Sequence, residues 1–229
     1  MNTIRVNDWK EFKHRLDGYA QQPRLRRQQM LFRGQGRTSW KLQTTLDRHK
    51  LFSSDADRNV YVSELLDDFR TEAIRVGFPS LKELTGDALE LLARHHGLPS
   101  PLIDWTDSPY IAAYFALTDP QVSIVEPAVV WVLDKAQFTP DPALIDLIDD
   151  DKLLLFNRRA VQQRGSFLRV ATILQPTEVL LDAALTKFEI PVSDVQHALA
   201  DLDSMTINST NLFCDLDGAA KTAVLRTKS

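Results

Sequence analysis

An α+β domain is the expectation for this chain, on three observations. Apolar residues recur at three- and four-residue spacing over several segments, strand-like runs stand between them, and the two kinds do not alternate regularly. No repeat period or low-complexity tract is visible, and 229 residues suffice for a sizeable core. A single compact domain over 1–229, with a mixed sheet flanked by several helices, is therefore predicted.

The elements follow in order. Trp9, Phe12, Leu16 and Tyr19 make Asp8 to Tyr19 an amphipathic helix. A basic lead over Arg24 to Arg27 enters a short strand, Gln29 to Arg33, which ends at Gly34-Gln35-Gly36, where two glycines around a glutamine mark a tight turn or a close backbone approach. Val62, Leu65, Leu66, Phe69 and Ala73 form one stripe of a helix from about Asn59 to Val76, stopped by Gly77-Phe78-Pro79. Leu89, Leu92 and His95 repeat the pattern over Asp87 to His95, and Gly97 supplies the residue common just past a helix end. A further helix starts at Ser108, where a hydroxyl N-cap, Pro109 at the first helical position and the acidic Asp107 agree. Strands are expected at Ala128 to Leu133, Ser166 to Ile173 and Lys187 to Ile190, with an acidic stretch at Asp149-Asp150-Asp151 between the first two. Helices near Val192 to Leu202 and Asp217 to Leu225 complete the reading.

Composition narrows the function classes. Cys214 is the single cysteine, which excludes an intramolecular disulfide and a cysteine-cluster zinc site and agrees with a reducing compartment. No apolar run approaches the roughly 18 residues of a membrane span, and the first twenty residues lack a secretory apolar core. A cytoplasmic location without a membrane partner is the default expectation. The net charge of −4 conceals an asymmetry, because residues 1 to 50 hold 12 Lys and Arg against 4 Asp and Glu. That basic segment either meets a phosphate-bearing ligand or pairs with the acidic remainder of the same domain.

Three segments carry candidate chemistry. In Phe32-Arg33-Gly34-Gln35, an arginine beside glycine can present its planar fork to a phosphate while a ligand approaches the backbone; an internal ion pair fixing the strand is the structural alternative. The second runs from Arg94-His95-His96-Gly97 through Asp104-Trp105-Thr106-Asp107-Ser108-Pro109. Adjacent imidazoles point about 100° apart on a helix and do not readily share one metal, so no metal is expected. His96 and Asp104 can form a general-base pair, or His96 can be a structural hydrogen-bonder. Thr106 and Ser108 lie at a helix N-terminus, where anions are received readily, although capping by Ser108 and core packing of Trp105 account for the same residues. The third, Asn157-Arg158-Arg159-Ala160-Val161-Gln162-Gln163-Arg164-Gly165-Ser166-Phe167, sets amides and guanidiniums before a strand, either as a recognition loop or as a hydrated turn.

Together these segments resemble the FRG family. Its pattern is an aromatic-Arg-Gly triplet, a His-Gly-Leu-Pro block running to Leu-Asp-Trp-Thr and Pro, then Ala-x-x-Phe-Ala, and later Arg-x-x-x-Gln-x-Gly-x-Phe. The counterparts here are Phe32-Arg33-Gly34, His96-Gly97-Leu98-Pro99, Leu102-Ile103-Asp104-Trp105-Thr106 with Pro109, Ala112 to Ala116, and Arg159 to Phe167. Ser100 stands where Thr is usual and Pro101 where a basic residue is frequent. Leu212-Phe213 and Asp215 to Ala219 resemble the family's closing segment.

The order of Arg33, Thr106 and Ser108 before Ala112 and Phe115, and then Gln163, is also similar to that of arginine-class ADP-ribosyltransferases. That resemblance implies NAD as substrate, with Arg33 clamping the pyrophosphate beside Gly34 and Gln35. Thr106 would orient the nicotinamide ribose, Trp105 would stack the nicotinamide, and Ser108 would stand nearby. The reaction implied is ADP-ribosyl transfer or NAD hydrolysis, with a protein or nucleic acid as acceptor and a toxin or defence role. Gln163 lacks the carboxylate that such enzymes use, so either Asp104 replaces it or the chain is a non-catalytic nucleotide- or nucleic-acid-binding module.

Overall fold

The computed structural model describes residues 2–20, 29–119, 125–149 and 158–228. Arg24 to Arg27, Asp150, Asp151 and Asn157 lie outside the described residues, as do the side chains of Tyr19, Arg158 and Arg159.

The elements run β1 (Asn2–Arg5), α1 (Trp9–Ala20), β2 (Met30–Gln35), α2 (Thr45–His49), α3 (Asp55–Arg75), α4 (Gly86–His95), β3 (Leu102–Thr106) and α5 (Pro109–Thr118). They continue with β4 (Ala128–Asp134), β5 (Ile145–Ile148), α6 (Arg158–Gln162), β6 (Gly165–Val170), α7 (Thr177–Leu181), β7 (Leu185–Ile190), α8 (Val195–Ser204), α9 (Ser209–Phe213) and α10 (Leu216–Lys228). Among the described residues the strands form one seven-stranded mixed sheet in the order β1-β7-β4-β2-β3-β6-β5, in which β1 and β7 are parallel and the other neighbours antiparallel. The α+β expectation is met.

Strand β4 shows why the sheet lies between two apolar layers. Its period of two sends Val130 and Val132 to one face, where they pack with Trp9, Phe12, Ile111, Phe188 and Leu199. Val129, Trp131 and Leu133 go to the other face with Leu31, Ile103, Trp105 and Leu168. A strand covered on both faces needs no polar alternation, and Ala-Val-Val-Trp-Val-Leu has none.

The Ser108 start of α5 is found as expected: its hydroxyl accepts from the Ile111 amide at 3.3 Å and Pro109 takes the first turn. Other boundaries moved. Helix α3 begins at Asp55, because Ser54 accepts from the Asp57 amide and caps it four residues earlier than the apolar stripe indicates. The strand expected to reach Ile173 ends at Val170, after which Thr172 and the Ile173 amide bond to Asp55. Residues Val192–Asp194 form a 3₁₀ turn ahead of α8.

Of the two readings of Gly34-Gln35-Gly36, the tight turn is corrected at Gly34 and Gln35, since β2 runs on through Gln35 with six register pairs to β4, and the close backbone approach is found. Its glycine serves helix packing: a Cβ on Gly34 would lie 2.0 Å from the Ala112 carbonyl oxygen of α5. Strands β1, β3 and β5 have no counterpart in the sequence-based expectation. Each has only four or five residues, and β3 carries Asp104 at its centre between prolines. Five register pairs to β6 hold it as a strand.

Candidate functional site

Strands β2 and β3 meet through a single register pair, Phe32 with Thr106, whereas β3 and β6 share five. The gap between them is bridged by the side chain of Arg33, whose Nη1 donates to the Asp104 carbonyl oxygen at 2.8 Å and lies 3.7 Å from its carboxylate. The side chain is only 16% exposed, and its Nε is buried without a hydrogen-bond partner. Burial lowers the guanidinium pKa to about 10; Asp104 opposes this, while Arg94 and Arg48 add to it. Arg33 is therefore a cation with donor capacity left over.

Asp104 belongs chiefly to Arg94. From the last turn of α4, Arg94 Nε donates to Oδ1 at 2.8 Å and Nη2 donates to Oδ2, a bidentate pair. The third nitrogen, Nη1, donates to Thr45 Oγ1 at 2.9 Å; Thr45 Oγ1 in turn accepts from the Ser100 amide at 3.0 Å. Burial pushes the Asp104 carboxyl up, but the charge and bonds of Arg94, with the charge of Arg33, outweigh it and hold the group below the usual carboxylate range. With 49% of its side chain exposed, Asp104 remains an open, ionised carboxylate. Burial likewise disfavours the Arg94 cation, and the same carboxylate overcomes that and raises its pKa.

A cavity of about 590 Å³ opens at this gap, lined by Arg33, Gly34, Asp104, Thr106, Phe115, Gln163, Phe213 and Lys221 among others. Its size falls within the roughly 300–1,000 Å³ of small-molecule sites. Gln163 reaches it from the end of α6, where its Nε2 donates to the Leu212 carbonyl at 3.3 Å. The next residue, Arg164, has φ 50° and pairs with Asp107 at 2.6 Å. The Asp107 amide also donates to the Arg164 carbonyl at 3.2 Å, so this turn is tied to the β3–α5 loop. Phe115 and Phe213 meet edge to face at 6.0 Å, and Lys221 lies 5.2 Å from the Phe213 ring centre. A second cavity of about 290 Å³ shares Asp104, Phe115, Gln163 and Phe213 with the first.

Of the residues singled out in the sequence, Arg33, Gly34, Asp104, Trp105, Thr106 and Gln163 converge on this cavity. Several differ in detail from their expected roles. The Trp105 ring is 2% exposed and packs with Leu31, Ile103 and Trp131 in the apolar layer, so it offers no open stacking face. Thr106 Oγ1 accepts from the Ser108 amide at 3.1 Å, and Ser108 is occupied as the cap of α5. Gln35 is buried beneath the sheet, where it accepts from Trp131 Nε1 and donates to the Lys41 carbonyl. His96 is exposed at the end of α4, its ring against His95, and the Asp104 carboxylate that was to orient it is held by arginines.

Arg94, Phe213 and Lys221 were missed as site residues. The signal for Arg94 was a basic residue in a helical last turn, which ordinarily complements the helix dipole. Among the described residues, no group of three His, Cys, Asp or Glu could hold a metal ion, and no helix is long and apolar enough to cross a membrane.

Residues 28–123 match the family model of the FRG domain. That interval holds β2, Arg94 and the Asp104 block, but it stops before Gln163 and the C-terminal helices that complete the cavity. No curated protein and no solved structure matches the chain, so these comparisons lend no support to the similarity with ADP-ribosyltransferases.

Proposed function

We propose that the cleft between β2 and β3 binds NAD and that the chain is an ADP-ribosyltransferase-like enzyme, transferring or hydrolysing the ADP-ribosyl group. The observation that carries this reading is Arg33: a nearly buried cation at the cavity wall, with an Nε left without a partner. A cation so nearly buried gains from an anion beside it, and a pyrophosphate in the cavity is an acceptor of the right charge for the Arg33 fork. Lys221 adds a second cation at the same cavity, and Phe115 and Phe213 offer aromatic edges and faces to a base or a nicotinamide.

NAD as substrate supplies a glycosidic bond to a cationic nicotinamide, which departs with the bonding electrons and leaves positive charge on the ribose carbon. An ionised carboxylate opposes that charge best; Asp104 and Asp119 both line the cavity, and Asp104 is held ionised there by its arginines. A charged hydrogen bond realised in the transition state contributes about 1.5–3 kcal/mol, or roughly ten- to hundredfold in rate. Gln163, as a neutral amide, can hold a ribose hydroxyl.

The second reading is a non-catalytic nucleotide-binding module, and the bidentate Arg94 pair favours it, because much of the Asp104 charge is already countered. Calorimetric titration with NAD, followed by measurement of nicotinamide release, separates the two. Binding is expected to weaken about ten- to hundredfold in Arg33→Ala and less in Arg33→Lys. Equal NAD affinity in wild type and a folded Arg33→Ala variant would sink the binding reading. Binding without any nicotinamide release would leave the module alone standing.

A further inference from the structure

Hydrolysis of NAD requires one organic substrate and water, whereas transfer requires two organic substrates that meet at one carbon. Resting on the NAD reading above, we infer that the smaller cavity is the acceptor site, and that the acceptor is a nucleobase of single-stranded nucleic acid. The two cavities share Asp104, Phe115, Gln163 and Phe213, so the carboxylate and the amide stand on the boundary between them. At about 290 Å³ the smaller one exceeds what an attacking water needs by roughly tenfold.

The chemistry of its walls selects the acceptor. A lysine or arginine acceptor is opposed by charge: Arg94 stands on the wall of this cavity, and Arg33 and Lys221 line the larger one that shares Asp104 and Phe213 with it. A carboxylate acceptor would be drawn in by that charge but left without a partner, since the Arg94 nitrogens already donate to Asp104 and Thr45. A serine or threonine hydroxyl would leave the space unfilled. Besides Thr45, His95 and Gly97, the remaining walls are Leu91, Leu98, Ala160 and Phe167, which with the two shared phenylalanines give apolar faces that suit a flat, neutral ring. Gln163 presents donor and acceptor atoms to such a ring's edge, and the surrounding cations suit its phosphate backbone.

The step balances simply. The bond from the ribose carbon to the nicotinamide nitrogen breaks, and nicotinamide leaves as a neutral molecule with the bonding pair. A nitrogen lone pair of the base forms the new bond, and the proton on that nitrogen passes to solvent.

The test uses the full chain with NAD and short oligonucleotides of DNA or of RNA, each as single-base homopolymers, beside an abasic oligonucleotide and a mixed-sequence peptide. Mass spectrometry reads the adduct and a separate assay reads nicotinamide. An ADP-ribosyl adduct is expected on one or two base types, with none on the abasic strand or the peptide; the DNA and RNA arms identify the source. Leu98→Trp, which fills the smaller cavity, is expected to reduce the adduct and the NAD-free binding of the same oligonucleotide about ten- to hundredfold, the value of a lost base stack. NAD affinity should stay within about twofold of wild type in that variant. Nicotinamide release with no adduct, or an adduct on the peptide alone, overturns the acceptor assignment while the NAD reading survives. Oligonucleotide binding and labelling unchanged by Leu98→Trp also overturn it. Failure to bind NAD overturns both.

Discussion

Replacing Gly34 by alanine places a Cβ 2.0 Å from the Ala112 carbonyl oxygen and 2.6 Å from the Ala116 amide nitrogen. Both are backbone atoms of α5, so no side chain can swing away. To restore even the tight contact limit of 3.0 Å, the helix must retreat from β2 by about 1 Å. Overpacking of a filled core costs about 1–3 kcal/mol, and a shift of helix backbone belongs at the upper end of that range. For a chain of this size each kcal/mol moves the melting temperature by roughly 2–4 °C, so a fall of about 6–12 °C is expected. Urea unfolding followed by circular dichroism should show a lower midpoint at an unchanged slope. The displaced helix carries Phe115, so NAD affinity should fall as well. Gly77→Ala is the control: its φ of 107° strains alanine, but nothing lies within 4 Å of the new Cβ, and about 1–2 kcal/mol is expected. A Gly34→Ala protein melting within about 1 °C of wild type would refute the close-approach account.

Three further outcomes follow from named contacts. Asp104→Asn should cost about 2–3 kcal/mol by denaturant unfolding, less than for a fully buried pair because half of the carboxylate is exposed. Since its folded pKa is depressed below 3.8, the stabilisation is fully present above that value and is lost as pH falls through the folded value. The stability gap between wild type and Asp104→Asn should therefore hold steady above about pH 5 and close only in strong acid. Gln35→Leu leaves Trp131 Nε1 buried without its acceptor and should cost about 1–3 kcal/mol in the same assay, with NAD affinity unchanged because Gln35 does not line the cavity. Raising salt should weaken oligonucleotide binding in proportion to the phosphates contacted, measured by anisotropy at two ionic strengths.

Much of the scaffold was legible in local pattern. The spacing of Trp9, Phe12 and Leu16 marked α1, the uninterrupted apolar run marked β4, and Ser108-Pro109 marked the start of α5 to the residue. Each depends on near neighbours in the chain, where periodicity and capping act. Short strands with polar centres were hidden, because β3 is held by a partner some sixty residues away and by nothing within its own five residues.

The candidate site divides along the same line. Residue type and order by themselves determined that Phe32-Arg33-Gly34, Asp104-Trp105-Thr106 and Gln163 belong together, and all seven of those residues stand around one cavity. Their individual roles were decided only by tertiary structure. Gly34 makes room for a helix, Trp105 turns into the apolar layer, and Asp104 answers to Arg94 instead of His96. The reason is physical: a side chain's face is set by strand register, and a carboxylate's partner by which cation the packing of α4 against β3 brings within 3 Å. Neither quantity is written in the spacing of residues along the chain.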